Sequence, residues 1–321
     1  MREERIKTFD GHEITCYFWD KVKNPKGIVQ IVHGLAEHAT RYDDFAKFLN
    51  KSGFIAFADD HRSHGKTAGD TENIGKYEGG NVFFDSVQDQ IFFSKLLKEK
   101  YNLPLYIYAH SYGSFLIQSY MEDCDLYDRV ILAGCSYMRN SATYRELRIA
   151  RLTVKFKGEN APAKYLEKVI FSRFNRRIKN GTSWVNSNKD KADEYFTDPL
   201  CGKTFSAKFY EDMFSSFKVI FKYGNLDHIN KEKPVLLMVG KNDPVTRMGA
   251  LASKLYKVYK EHDIMVAMKQ YEGARHALLH DEVKELVYKD VVEFFGGKMV
   301  DSVSEAISIH KNKRKQIKKS V

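Results

Sequence analysis

The sequence contains little cysteine. Its 321 residues include four cysteines, namely Cys16, Cys124, Cys135 and Cys201. They lie far apart and form no C-x-x-C pair, so a disulfide framework is excluded. We interpret them as reduced thiols, which is typical of a cytoplasmic protein.

Long apolar runs are also missing. No apolar stretch approaches the roughly 20 residues that a transmembrane helix requires. The first residues, MREERIKTFDG, lack the apolar region of a signal peptide. We therefore expect a cytoplasmic protein. Hydrophobic residues still make up 43% of the chain, which is enough for a large buried core.

Positive charge is concentrated in two segments. Residues 139–179 contain twelve lysines and arginines against three glutamates, a net charge of +9, and residues 311–321 carry +6. Since the whole chain carries +10, the remainder is acidic, at −5. We therefore expect no nucleic-acid partner.

Apolar runs alternate with amphipathic segments along most of the chain. The predicted strands are an antiparallel hairpin at 4–9 and 13–19, then 27–32, 54–58, 104–109, 129–134, 233–240 and 264–271. The predicted helices are 41–52, 84–99, one directly after Ser111, 247–259 and 281–296. This alternation predicts an α/β fold with a mostly parallel, doubly wound sheet.

The alternation is interrupted in the middle of the chain, where helical signals occur without buried strands. We interpret this stretch as an inserted helical cap over the carboxyl-terminal edge of the sheet, the edge at which ligands bind in open α/β sheets. The predicted division is a core of residues 1–137 and 232–298, a cap of residues 138–231 and a basic tail of residues 299–321.

The stretch LPLYIYAHSYGSFLIQSY, residues 103–120, has the pattern of a buried strand, a sharp turn and a helix. A serine in such a turn adopts a strained conformation that lifts its hydroxyl above the sheet edge. The small residues Ala109 and Gly113 flank Ser111 and permit the turn. A serine between small residues can also simply cap a helix, so the remaining parts of the chemistry must be present too.

Two further residues complete a nucleophile, a base and an acid in the chain order that a doubly wound hydrolase sheet requires. Asp243 follows strand 233–240, and His276 follows strand 264–271. We expect His276 to take the proton of Ser111 and Asp243 to orient and stabilise the imidazole. Taken singly, Asp243 is typical of a turn and His276 of a surface position; their order favours catalysis.

Backbone N–H donors for an oxyanion are predicted at Leu35 and Tyr112. Leu35 lies in the flexible turn that follows strand 27–32, and Tyr112 directly follows the serine. Loss of one such donor typically slows a reaction by about 10²- to 10³-fold.

Together these motifs resemble the monoacylglycerol lipase and lysophospholipase group of α/β-hydrolases, which is serine-aminopeptidase-like, over about residues 1–296. The stretches that carry the resemblance are VHGLAEHATRYDDFAKFL at 32–49, DDHRSHGKTAG at 59–69, AHSYGSF at 109–115, WVNSNKDKADEYFTDPLCG at 184–202, VGKNDPVT at 239–246 and GARHALLHDE at 273–282. The resemblance implies the α/β-hydrolase fold, the triad Ser111, Asp243 and His276, and the oxyanion donors Leu35 and Tyr112.

Some positions depart from the usual pattern of that group. Ala109 and Ser114 stand where glycines are usual, and Ser63 replaces a glycine in the Arg-Gly-His-Gly turn. Ala277 follows the histidine where an acid is common. None of these changes removes a catalytic group, so they bear on substrate preference and rate.

A histidine-rich cluster offers a competing interpretation as a metal site. Its members are His33, His38, Asp60, His61 and His64. Their spacing fits no zinc pattern, and in the resembled group these residues shape the oxyanion and neighbouring loops. We therefore predict neither a metal nor a cofactor.

The predicted reaction is hydrolysis of a carboxylic ester through a serine acyl-enzyme, and the resemblance implies a monoacylglycerol or a lysophospholipid as substrate. One alternative is a carboxylesterase for small or aromatic, phenolic esters. A peptidase and a non-catalytic ligand-binding relative are further alternatives, because sheet and triad do not choose between ester and amide. The sequence does not indicate the oligomeric state.

Two basic segments favour peripheral contact with an anionic membrane surface. KYLEKVIFSRFNRRIK, residues 164–179, reads as a helix with basic residues opposite an apolar face, which suits lipid or an acyl-chain entrance. That apolar face comprises Leu166, Val169, Ile170, Phe174 and Ile178. The alternative is a cap helix packed on the core with a solvated basic face. The tail at 311–321 is likewise either attracted to anionic lipid or simply solvated.

Overall fold

Eight strands form one sheet in the part of the chain that the computed structural model describes, which is residues 1–139, 141–178 and 183–298. The strands are β1 (Arg2–Lys7), β2 (Glu13–Trp19), β3 (Gly27–Val32), β4 (Phe54–Asp59), β5 (Leu105–His110), β6 (Arg129–Ala133), β7 (Val235–Gly240) and β8 (Val266–Tyr271). Their order in the sheet is β1-β2-β4-β3-β5-β6-β7-β8. β2 pairs antiparallel with β1 and β4, and all other pairs are parallel. The predicted mostly parallel α/β sheet is therefore confirmed.

Ten α-helices accompany the sheet in these residues. They are α1 (Asp43–Lys51), α2 (Val82–Tyr101), α3 (Tyr112–Asp123), α4 (Ser141–Lys157), α5 (Lys164–Asn175), α6 (Lys189–Thr197), α7 (Ala207–Ser216), α8 (Tyr223–Leu226), α9 (Ala250–Glu261) and α10 (Lys284–Phe295). None of these helices combines the length and apolarity needed to cross a bilayer. The predicted tail at 299–321, and Lys179 at the end of the predicted cap helix, lie outside the described residues.

Helices cover both faces of the sheet because successive strand residues point to opposite sides. In β6, Val130 and Leu132 belong to the core that includes α2, α3 and α9. Ile131 and Ala133 belong to the core on the other face, with α1 and α10. The doubly wound arrangement follows, and it explains why every residue of β3, β4 and β7 is buried.

Two helices begin later than the sequence predicts. The helix expected at 41–52 starts at Asp43, because the preceding residues form a 3₁₀ turn. The helix expected at 247–259 starts at Ala250, because Arg247 and Met248 adopt positive φ angles of 55° and 58°. Backbone in that left-handed region cannot continue an α-helix.

Helices α4–α8 occupy the stretch between β6 and β7 in which the sequence predicts an insertion. α4 packs against α7, and Arg173 of α5 forms an ion pair of 2.5 Å with Glu146 of α4. Pro162 and Ser206 pair in an isolated β-bridge that ties the start of α5 to the start of α7. These contacts join the inserted helices to one another.

A buried arginine fixes the loop after β4 against α2. Arg62 donates hydrogen bonds to Asp89 at 2.6 and 2.8 Å and to Asp10 at 2.7 and 2.9 Å. The next residue, Ser63, has a φ of +68°, a conformation that suits the glycine usual at this position in the resembled group. The same loop carries His61, so the network holds a residue that supports the candidate site.

Removing one partner of this network should strongly destabilise the protein. We expect Asp89→Ala to lower the free energy of unfolding by about 3–5 kcal/mol, because a buried guanidinium loses its innermost counter-charge. Urea denaturation measures the change. Lys47→Ala is the control, since it breaks an ion pair with Asp43 whose lysine is well exposed, and such pairs contribute only about 0–1 kcal/mol. Equal losses in the two variants would contradict the prediction.

Candidate active site

Ser111 stands at a strained turn between β5 and α3. Its φ is +50°, and its amide donates to the carbonyl of Ala133 at 2.9 Å, which ties the turn to β6. A Cβ atom at Gly113 would lie 2.4 Å from the carbonyl oxygen of Val32, so glycine is required there. Ala109 is fully buried in the sheet. The extra methyl group at this position therefore leaves the turn intact.

The structure brings the predicted nucleophile, base and acid into one hydrogen-bonded row. His276 Nε2 lies 2.8 Å from Ser111 Oγ, and His276 Nδ1 lies 2.8 Å from Asp243 Oδ2. Asp243 is fully buried, and its other carboxylate oxygen accepts from the amide of Val245 at 2.8 Å. The arrangement can pass the serine proton to the imidazole while a fixed carboxylate holds the ring.

The two predicted oxyanion residues, Leu35 and Tyr112, both line the cavity beside Ser111. Tyr112 is the first residue of α3, where an N–H has no acceptor within the helix. In residues 1–139, 141–178 and 183–298, no protein acceptor takes a hydrogen bond from either amide. Both N–H groups are therefore available to a ligand oxygen.

Glu37, which the sequence analysis did not single out, connects these parts. Four donors converge on its carboxylate: Gly34 N at 2.6 Å, Tyr42 Oη at 2.9 Å, His110 Nδ1 at 3.0 Å and Arg41 Nε at 3.1 Å. His110 Nε2 in turn lies 3.1 Å from the carbonyl oxygen of His276. Glu37 thus links the turn before Leu35 to the loop that carries the predicted base.

The Glu37 carboxylate stays charged although it is buried. Burial alone would raise its pKa, but the hydrogen bond and charge of His110 and the charge of Arg41 outweigh burial and hold the pKa well below its usual value. Sequence reasoning missed this residue because its partner His110 is 73 positions away. Its position three residues after Gly34 is the one local signal that could have found it.

Most of the histidine cluster considered as a metal site supports the oxyanion turn from below. His61 Nδ1 lies 2.8 Å from Asp59 Oδ2, and its ring stacks on that of His33 with centroids 3.8 Å apart. The amide of His61 donates to His33 Nε2 at 3.1 Å. His64 packs edge-on against His33, and Asp60 accepts from two backbone amides instead. These groups hold one another and the turn, and do not converge on a cation.

His38 lies elsewhere, beside Asp198 and Cys201. His38 Nε2 is 2.9 Å from Asp198 Oδ2, and potential ligand atoms of all three residues lie within 4.8 Å of one another. Burial raises the pKa of the Cys201 thiol. Arg41 also places its guanidinium 4.0 Å from the sulfur. A neutral thiol beside a fixed positive charge disfavours a metal ion at this group.

A cavity of about 870 Å³ adjoins Ser111. Its wall is largely apolar and includes Phe115, Ile170, Phe171, Phe174, Met213 and Phe214. Trp184 also lines it, with its ring centroid 5.7 Å from that of His276. Ile178 reaches the cavity as well, whereas Leu166 is buried. The apolar face predicted for the 164–179 helix therefore borders the cavity over much of its length.

A family comparison agrees with this geometry. The Hydrolase_4 family model, described as "Serine aminopeptidase, S33", matches residues 23–283. The chain is 27% identical to a monoglyceride lipase homolog of monkeypox virus, over 88% of this chain and 94% of that protein. It is 25% identical to the monoglyceride lipase of Mus musculus, over 86% of this chain and 84% of that protein.

Solved structures share the fold. A thermostable carboxyl esterase from Bacillus coagulans superposes with a TM-score of 0.84 at 25% identity, covering 93% of this chain and 99% of that one. A monoglyceride lipase from Saccharomyces cerevisiae superposes with a TM-score of 0.72 at 20% identity, covering 94% and 96%. The sheet and its helices are thus arranged as in these proteins.

Neutralising Glu37 should cost stability in a pH-dependent way. We expect Glu37→Gln to lower the free energy of unfolding by about 1–3 kcal/mol at neutral pH, because an amide nitrogen would face donors. Since the folded-state pKa of Glu37 lies well below 4.5, its charged contribution is complete above that pH and is lost as the pH falls through the folded-state pKa. Urea denaturation from neutral to acid pH should show the difference from wild type narrowing as the pH falls.

The matched control is Glu72→Gln, which alters an exposed glutamate in a 3₁₀ turn. Its effect should stay within about 0.5 kcal/mol at every pH. If Glu37→Gln behaved like this control, the central role of Glu37 would be refuted.

Proposed function

Because the chain belongs to the Hydrolase_4 family of serine aminopeptidase-like α/β-hydrolases, we propose that it is a serine hydrolase that cleaves carboxylic esters through an acyl-enzyme. The observation that carries the proposal is the hydrogen-bonded row of Ser111, His276 and Asp243, with 2.8 Å at each step. Such a row, at a strained turn beside a large apolar cavity, is suited to nucleophilic attack on a carbonyl group.

In the proposed mechanism, Ser111 Oγ attacks the ester carbonyl while His276 Nε2 takes the serine proton. Asp243 holds the imidazole by Nδ1 and stabilises its charged form. The amides of Leu35 and Tyr112 donate to the oxygen that becomes negative. His276 then protonates the departing alcohol, and a water activated by the same imidazole releases the acid from Ser111.

The preferred substrate is an ester with a long acyl chain, such as a monoacylglycerol or a lysophospholipid. The cavity volume of about 870 Å³ and its aromatic and aliphatic wall support this preference. The similarity to proteins named monoglyceride lipase supports it as well. The second candidate is a carboxylesterase for small esters, which the similarity to the Bacillus coagulans esterase favours.

Residues 138–231 act in this proposal as a cap that encloses the acyl chain. Helices α5, α6 and α7 all contribute cavity wall, through residues such as Phe174, Tyr195 and Phe214. The strands contribute the chemistry at the cavity floor. Chain-length preference should therefore depend on the cap, whereas bond cleavage depends on the core.

Replacing the nucleophile should abolish hydrolysis. We expect Ser111→Ala to reduce kcat by about 10⁴- to 10⁶-fold, because loss of the attacking hydroxyl removes covalent catalysis. The assay uses p-nitrophenyl esters from acetate to palmitate, together with monoacylglycerols. Ser253→Ala, which changes a half-buried serine on α9, is the control and should retain wild-type rates.

Each result of that series has a clear meaning. A long-chain optimum supports the lipase assignment, and an optimum at acetate or butyrate favours the small-ester esterase. Cleavage of aminoacyl amides without any ester hydrolysis would make the protein a peptidase. Absence of hydrolysis in the wild-type protein would overturn the proposed function.

The proposal includes contact with an anionic lipid surface through the junction of α4 and α5. Phe156 is 75% exposed, Tyr165 69% and Leu152 45%. The basic residues Lys155 and Lys164 stand directly beside them in the sequence. Exposed apolar side chains among lysines suit insertion at the boundary between headgroups and acyl chains.

Removing the exposed rings should weaken vesicle binding. We expect the double variant Phe156→Ser/Tyr165→Ser to bind phosphatidylserine-containing vesicles at least about 10-fold more weakly, since each buried ring contributes about 1.5–3 kcal/mol. Vesicle co-sedimentation measures binding. The control is Leu286→Ser, which removes an equally accessible apolar side chain, 48% exposed, from α10. Equal binding by both variants would exclude this surface.

A further inference from the structure

Three arginines line the cavity beside the nucleophile. Arg173 lies in the last turn of α5, Arg177 follows the end of that helix, and Arg247 lies in the loop after β7. Arg177 Nη1 donates to the carbonyl of Pro244 at 3.3 Å, which holds the end of α5 against that loop. Positive charge from two separate segments is thereby brought to one cavity.

The negative charge near these arginines is small. Arg173 Nη1 donates to Glu146 Oε1 at 2.5 Å, and Glu146 is buried. Burial raises the pKa of Glu146 despite the neighbouring arginines, which weakens it as a counter-ion. Among residues 1–139, 141–178 and 183–298, no carboxylate lies within 4.0 Å of the guanidinium nitrogens of Arg177 or Arg247.

A donor also remains unused at this place. Arg173 Nη2 is sealed from solvent and has no hydrogen-bond partner among the described residues. Glu167 lines the cavity too, but its Oε1 already accepts from the amide of Phe205 at 2.9 Å and from Tyr210 Oη at 3.0 Å. The cavity therefore combines an apolar wall with surplus guanidinium donors.

We propose that Arg173, Arg177 and Arg247 form a subsite for a phosphate group carried by the ester substrate. Guanidinium groups bind phosphate oxygens through paired, charge-assisted hydrogen bonds. Phe174, between the two arginines of the α5 segment, contributes apolar wall to the same cavity. This subsite extends the proposed ester hydrolysis, on which it rests, and it selects a lysophospholipid over an uncharged monoacylglycerol.

The test compares two substrates that differ only in the phosphate, 1-octanoylglycerol and 1-octanoylglycerol 3-phosphate, each kept below its micelle concentration. The wild-type protein should show the higher kcat/KM on the phosphate ester. In the double variant Arg177→Gln/Arg247→Gln, the ratio of the two kcat/KM values should fall by about 10- to 100-fold, the effect of losing charge-assisted hydrogen bonds. Arg173 is retained because Glu146 would otherwise lose its partner.

The matched control is Arg176→Gln. Arg176 is exposed, lies next to Arg177 and does not line the cavity, so this variant should keep the wild-type ratio. An equal fall in both variants would show a general charge effect and overturn the subsite. A ratio near one in the wild-type protein would overturn it as well.

Two further arms separate other sources of the effect. If the double variant lost activity only on substrates presented in anionic vesicles, the arginines would serve a lipid surface and the subsite would be wrong. If inorganic phosphate inhibited octanoylglycerol hydrolysis while the phosphate ester gained no preference, the site would take free phosphate and the substrate assignment would fail. Hydrolysis of p-nitrophenyl esters, measured in parallel, shows whether the proposed ester hydrolysis itself holds.

Discussion

The end of β3 presses so closely on the first turn of α3 that only glycine fits between them. A Cβ atom at position 113 would lie 2.4 Å from the carbonyl oxygen of Val32 and 2.5 Å from that of His33. Because α3 cannot move away, the chain must enter it through the positive φ of Ser111. The same contact brings Gly34 to Ser111, since a Cβ at Gly34 would approach the serine Cβ to 3.2 Å. One packing constraint thus positions the nucleophile and the turn that carries a candidate oxyanion donor.

Such a tight arrangement needs polar support, and two buried charges provide it. The Glu37 carboxylate holds the amide of Gly34 and the ring of His110. Beneath the turn, burial would lower the pKa of His61, but the charge of Asp59 outweighs it and raises the pKa. Buried ions are costly unless every partner is present. Their value here is positional, because they fix backbone groups that no apolar side chain could hold.

The sequence allowed prediction of those parts of the site that follow from local patterns. Ser111 was found because a strand, a small-residue turn and a helix follow one another directly. Asp243 and His276 were found because each follows a parallel strand, and such strand ends meet at one edge of the sheet. Glu37 was missed because its contacts join distant segments. The later start of α9 was missed because nothing in the sequence signals the positive φ of Arg247.

The division of labour in this fold also explains where its specificity can vary. The core holds the reacting groups through short, fully satisfied hydrogen bonds, and a substitution there disturbs several partners at once. The cavity wall between β6 and β7 is built mainly from exposed or half-buried helices that contact the core through few such bonds. Charge can therefore be added to that wall, as at Arg173 and Arg177, without disturbing the row from Ser111 to Asp243. A basic wall around an apolar cavity changes which ester is bound, while the bond that is cleaved stays the same.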